Sequence, residues 1–369
     1  MPRAEPAHIK MTQQYLDKSL AAEAGRKQGV GAELAAFGVR FARNLAVQDW
    51  LLLSYFSVLL VALAFGGGPG RPRCIEHVVV DVALVSLGLA LSRGGLLPQG
   101  SLASTVAYRV TMFGAVFLTY FQLRDILPAV SPHALDANIL AFDLRLFGVE
   151  PSLAWDQYVT PATTEWFAFF YFSYFAILTM HVVPFLFAVK NDTLMTQFGL
   201  GICVVFCTAH TIYMLVPGYG PYAYLAGQFK HQLSGGLFWG LVREAVEAGG
   251  AQKDIFPSLH TAAPTFFAIF SYRHRRLRPF KYTWPIVGFF AVQIIFATMF
   301  LRWHYLIDIF AGIALATLAN VVAAKVPSWE AARRARLGLP PVFARVQVRS
   351  SRVGSRGWLA GTGDANAKE

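Results

Sequence analysis

Residues 284–324 read WPIVGFFAVQIIFATMFLRWHYLIDIFAGIALATLANVVAA. Two apolar runs, 284–303 and 305–324, meet at Arg302, Trp303 and His304, and the second run carries Asp308. Each run has about the 20 residues that a helix needs to cross roughly 30 Å of hydrocarbon. Runs of similar length recur at 46–66, 78–97, 104–122, 166–189, 197–216 and 257–273, so eight spans are expected. The second holds Asp81 and Arg93, and the sixth is short and begins just after Pro257. The reading is an all-α polytopic membrane helix bundle of about eight transmembrane helices.

Composition agrees. The chain of 369 residues is 55% hydrophobic and only 14% charged, which excludes a disordered chain and fits a soluble globule poorly. No signal peptide is expected, because residues 1–45 are polar and mixed in charge, and insertion then relies on the first internal span. The three cysteines cannot build a disulfide framework: Cys74 stands alone, and Cys203 and Cys207 are one helical turn apart in an apolar run. The segment after Pro327, rich in Arg, Gly and Ser, is expected to be disordered.

The net charge of +11 sets orientation. With the N-terminus inside, the cytoplasmic segments hold 23 of the 32 Lys and Arg, and the opposite loops hold 7. The deciding stretch is the short loop with Arg273, Arg275, Arg276, Arg278 and Lys281, which has no acidic residue. Both termini are therefore expected in the cytoplasm, with anionic lipids as partners of that face. Nothing resembles a nucleic-acid fold or an aromatic-basic interleave, so a nucleic-acid partner is set aside.

Two outer segments stand out. Asp136, Ile139, Leu140, Asp143, Leu146 and Phe147 are spaced as a short amphipathic helix before Gly148, expected on the outer membrane surface. The longest outer loop, 217–257, opens on Pro217-Gly218-Tyr219-Gly220-Pro221 and contains a second amphipathic stretch from Leu237 to Val246. It suits a lid or a plain connector.

Ionisable residues in or beside spans are functional candidates. His181 and His210 stand isolated on apolar helices and read as core histidines; Asp81 has no nameable partner. His260, His304 and Asp308 differ, because the topology brings all three to one side of the membrane. His304 and Asp308 are four residues apart and share a helix face, so the carboxylate can accept one imidazole N–H and leave the other nitrogen free to attack an electrophile. A second histidine across the site could protonate the departing oxygen. Phosphorus in a lipid phosphate fits such a nucleophile, and Arg302 could offset phosphate charge.

Phe256-Pro257-Ser258-Leu259-His260-Thr261-Ala262 and Arg302-Trp303-His304-Tyr305-Leu306-Ile307-Asp308-Ile309-Phe310-Ala311-Gly312 resemble the second and third motifs of the type 2 phosphatidic acid phosphatase superfamily. The Pro-Ser-Leu-His form, the His-Tyr pair and the stretch from Phe142-Asp143 to Phe147-Gly148 resemble its inositol phosphorylceramide synthase branch. The resemblance covers roughly residues 134–324. It implies His304 as nucleophile, Asp308 as its orienting partner, His260 as the acid for the leaving group, and neither metal nor cofactor. It also implies a six-span core. The chain then divides into a cytoplasmic segment 1–45, two additional spans in 46–103, a catalytic membrane domain 104–324 and a basic cytoplasmic tail 325–369.

Two positions depart from the superfamily. Its first motif places Lys and Arg-Pro at the phosphate, whereas Pro217 to Tyr222 has no basic residue; where the third motif has an arginine six residues before the histidine, this chain has Thr298. Arg302, Lys230 and Arg243 are candidates for the missing charge, with Tyr219 and Tyr222 as hydrogen-bond donors and Ser258 as a further substrate contact. The expected function is a membrane lipid phosphatase or head-group transferase working through a phosphohistidine. Two other classes compete: a zinc site made of His260, His304 and Asp308, for which no His-Glu-x-x-His helix is present, and a non-catalytic lipid-binding or transport protein. Donor lipid, acceptor and oligomeric state are left open.

Overall fold

The computed structural model describes residues 31–189, 191–249 and 252–343. Residues 31–44 are helical, and ten helices follow. They are α1 (Val47–Phe65), α2 (Arg71–Arg93), α3 (Leu102–Val130), α4 (Asp136–Phe147), α5 (Pro161–Phe187), α6 (Asp192–Leu215), α7 (Leu237–Gly249), α8 (Leu259–Arg273), α9 (Phe280–Phe300) and α10 (Leu306–Arg336). Single helical turns lie at Pro151–Ala154 and Pro221–Tyr224. Among the described residues there is no strand, only an isolated bridge between Gly218 and Asp254.

Helix starts follow local chemistry. The hydroxyls of Ser101, Thr160 and Ser258 and the amide oxygen of Asn191 each accept a backbone N–H three residues on, which satisfies donors that the first turn leaves free. Among the described residues, seven helices (α1, α2, α3, α5, α6, α9 and α10) are long and apolar enough to cross a membrane. Large apolar side chains such as Phe65, Met180, Phe187 and Leu215 are exposed on them, as lipid-facing residues are.

The expected sixth span differs. The Ser258 cap starts α8 only at Leu259, and its 15 residues rise about 22 Å, less than the hydrocarbon thickness. It lies inside the bundle against α5, α6, α9 and α10, where Phe266, Phe267 and Phe270 are fully buried. Beside it α6 is the most buried span, at 72% against 33–44% for the others, so these two helices form the bundle's centre. α1 and α2 pack outside α3 and α6.

Because α8 and α10 both start at one end of the bundle, the opposite end receives the basic residues. There Arg93 pairs with Asp49 at 3.0 Å and lies over the Tyr108 ring, and Arg334 donates to Asn44 Oδ1 and Glu330. The segment expected to be disordered is in part ordered here. α10 runs through Pro327 to Arg336, and Val342 and Phe343 fold back and are buried, Phe343 packing on Tyr108. Arg93 and Arg334 draw this segment in by donating to the Val342 and Pro340 carbonyls. The remainder of that tail, 344–369, and residues 1–30 lie outside the described residues.

The isolated histidines are core residues. His210 is fully buried with Nδ1 3.2 Å from the Tyr55 hydroxyl, and His181 stacks on Phe267 with Nδ1 2.8 Å from the Ile177 carbonyl.

Candidate active site

The His304 imidazole sits in the short connection between α9 and α10. Three neighbouring groups fix that connection. Tyr305 caps α10: its N–H donates to Asp308 Oδ2 at 2.8 Å. Asp143 of α4 accepts the N–H groups of Leu306 and Ile307 at 2.7 and 2.9 Å. Arg302, in the left-handed region at φ 67°, is held by Asp156 (2.8 Å), by the His231 carbonyl (2.6 Å) and by the face of Phe229.

His304 Nδ1 lies 3.4 Å from Asp308 Oδ2, a long contact of the kind that tightens when a site is occupied. Asp308 is fully buried, and its Oδ1 has no partner among the described residues. Burial pushes the His304 imidazole down to about 4, although the Asp254 carboxylate and the Ile255 carbonyl favour its protonated form. At neutral pH the ring therefore keeps a lone pair.

His260, in the first turn of α8, faces the same cavity as His304. Its ring packs on Tyr171 and Tyr174, with centroids 4.3 and 4.2 Å away, and its Nε2 has no partner among the described residues. α8 and α10 approach closely at Gly312, where an added Cβ would lie 2.7 Å from the Ser258 carbonyl oxygen. The Ser258 N–H in turn donates to the Asp308 carbonyl at 3.1 Å.

Six tyrosines line the cavity: Tyr120, Tyr171, Tyr174, Tyr213, Tyr219 and Tyr222. Trp303, Phe175, Gln252 and Asp254 complete its polar and aromatic wall, and among the described residues no Lys or Arg lines it. Burial, with Asp254 adding to it, pushes the Tyr222 phenol up, so the hydroxyl remains a donor. Gly220, at φ 95°, lets the 217–222 run approach so closely that a Cβ would meet the Trp303 carbonyl oxygen at 2.4 Å. Asp136 holds that run by accepting from the N–H groups of Tyr219 and Gly220 and from the Tyr305 hydroxyl.

The candidates thus divide. His260, His304, Tyr219 and Tyr222 share the cavity, with Asp308 behind His304. Ser258 does not line it: fully buried, it caps α8. Arg302 also lies off the cavity wall, its charge engaged by Asp156. Lys230 and Arg243 are exposed and line no part of the cavity, and only the Lys230 backbone is engaged, donating to Asp156 at 2.9 Å. Among the described residues no three His, Cys, Asp or Glu side chains gather as a metal-binding group.

Sequence reasoning missed Asp254, the stacking tyrosines of α5 and the carboxylates that hold the loops. Tyr171 and Tyr174 were visible as polar residues on an apolar helix; Asp254, four residues before Ser258, gave no periodic signal.

A family model described as the PAP2 superfamily matches residues 137–322, just over half of the chain. No curated protein and no solved structure matches it.

Proposed function

From a chain that belongs to the PAP2 superfamily, we propose a multi-pass membrane enzyme that transfers a phosphoryl group from a lipid phosphate or phosphodiester through His304. The observation that carries this reading is the shared cavity of His260 and His304, with Asp308 at the far nitrogen of His304. In the first step His304 Nε2 attacks phosphorus, the bond from phosphorus to the lipid oxygen breaks, and His260 gives that oxygen its proton; burial lowers the His260 imidazole to about 3, so the step needs the bound phosphate's negative charge to hold the imidazolium. In the second, a hydroxyl passes its proton to His260, its oxygen bonds to phosphorus, and the P–N bond breaks. Water as acceptor gives a phosphatase. A lipid hydroxyl gives a head-group transferase, the outcome implied by the resemblance to inositol phosphorylceramide synthases.

The neutral donors of the cavity support a phosphodiester over a phosphomonoester, since Tyr219 and Tyr222 can bond phosphate oxygens but offset none of the second charge of a monoester. The catalytic unit is proposed to be residues 104–324, with α1 and α2 an addition. The basic end is proposed to be cytoplasmic, which puts the cavity at the outer or lumenal surface.

The test is incubation of purified protein with labelled phospholipids, with and without ceramide or diacylglycerol, followed by acid-labile phosphoenzyme analysis. Free phosphate or a freed phosphorylated head group marks hydrolysis, and a new phospholipid marks transfer. His304→Ala should abolish turnover and the phosphoenzyme while the protein still inserts. Full turnover by that variant would remove His304 from the mechanism and favour a non-catalytic role for the cavity.

A further inference from the structure

We propose that the end of the bundle opposite His304 carries a second site, which binds a phosphate group. It is built from the end of α2, the start of α3 and the segment that follows α10, and it does not depend on the reading of the active site. About 45 Å of α10 separates the two.

A cavity lies there, lined by Arg93, Gly100, Ser104, Thr105 and Val342 among others. Arg93 is the one cation among its described lining residues, and no Asp or Glu is among them. The Arg93 side chain is 6% exposed. Its Nε donates to Asp49 Oδ2 at 3.0 Å and its Nη1 to the Val342 carbonyl at 2.9 Å, while Nη2 is buried with no partner among the described residues. Asp49 is not reserved for this arginine, since its carboxylate also accepts from the Tyr108 hydroxyl and the Ala46 N–H. Nearby, Arg333 and Arg334 share the carboxylate of Glu330. Three guanidinium groups thus meet two carboxylates, which leaves one positive charge over. Every side-chain nitrogen of Arg333 and Arg334 has a partner, so the spare donor belongs to Arg93.

The start of α3 adds donors of another kind. Gly100, at φ 75°, turns the chain into the helix, and the Ser101 hydroxyl accepts only the Ser104 N–H from the first turn. A helix of 29 residues carries a partial positive charge at this end. Ser104 is 7% exposed, and its hydroxyl bonds to no described residue. A guanidinium, a hydroxyl and a helix start together form the donor set that phosphate oxygens take. Gln99, which is exposed, also lines the cavity, so it opens to the surface. It does so where α2 ends and α3 begins, at the depth of lipid head groups, within reach of a lipid phosphate and a free one alike.

Melting of the detergent-solubilised protein against sodium phosphate, with sodium chloride at matched ionic strength as reference, supplies the test. The melting temperature should rise saturably with phosphate in the wild type and in His304→Ala alike. Ser104→Asp sets a carboxylate beside Arg93 and should raise the apparent Kd by a factor of about ten. Ser104→Ala should raise it by a factor of about three. Both variants keep the Ser101 cap, so the fold is not at stake. Phosphatidylcholine micelles containing phosphatidic acid or phosphatidylglycerol, added to His304→Ala, form the second arm. A rise with lipid alone assigns the site to a head group; a rise with inorganic phosphate as well assigns it to any phosphate group. No saturable rise in either arm, or an unchanged Kd in Ser104→Asp, overturns the proposal. So does a rise lost in His304→Ala and kept in Ser104→Asp, which would put the phosphate in the active-site cavity.

Discussion

Asp143 accepts the backbone N–H of Leu306 at 2.7 Å across 163 residues of chain, so the helix that follows His304 is capped from another helix. Losing an N-cap of this type costs about 1–2 kcal/mol. Asp143→Ala should lower the melting temperature in detergent and cut turnover at least tenfold, because the first turn of α10 carries Asp308 and adjoins His304. Unchanged values for both would show that the turn holds itself.

Glu150 gives a pH dependence with a definite sign. Its Oε1 bonds the N–H and hydroxyl of Ser152, while Oε2 is buried without a partner among the described residues. Burial raises the carboxyl to about 7 from its ordinary 4.5, outweighing the Ser152 bonds. The folded state thus holds a proton that the unfolded state releases. Its contribution is complete below about 4.5 and is lost as pH rises through 7. Glu150→Gln should raise the melting temperature at pH 8 and leave it nearly unchanged at pH 4; thermal scans across that range decide it.

At Gly312 the spacing between α8 and α10 can be changed directly. A Cβ there would press on the Ser258 carbonyl and on Thr261, so the helices must part. Overpacking of this kind costs about 1–3 kcal/mol. Gly312→Ala should remain folded but lose at least tenfold in kcat, since it moves His260 from His304. Wild-type kcat in this variant would mean that the two histidines need no fixed separation.

Phe343 fastens the segment that follows α10 against Tyr108. Phe343→Ala should destabilise by about 3 kcal/mol, as removal of a buried aromatic does. The loss would be read as a lower melting temperature, with kcat per folded molecule unchanged because the contact lies at the far end of the bundle. A normal melting temperature would assign the ordering of this segment to Arg93 and Arg334 alone.

Much of the helical frame was legible in sequence. Apolar run length marked the long spans, and 3.6-residue spacing found α4 and α7. The spacing of His304 and Asp308 also foretold their contact. Periodicity reports which face of a helix is apolar, not what its polar residues touch. The partners of Arg302 lie 71 and 146 residues away, so nothing local distinguished a loop anchor from a phosphate ligand. Ser258 was read as a contact because it sits in a motif, whereas its hydroxyl is spent on the Thr261 N–H. α8 is shorter than the seven long helices, its cap at Ser258 setting its start at Leu259.

Asp136, Asp143, Asp156 and Glu165 each hold peptide N–H groups of segments at least 71 residues distant. Peptide groups are present whatever side chain a residue bears. The side chains of Lys230, Phe238 and Trp239, whose N–H groups are so held, take no part in these bonds, whereas the four acids make them with their side chains. The loops over the cavity are thus held in place by bonds that do not depend on the identity of the side chain at an exposed position such as Lys230.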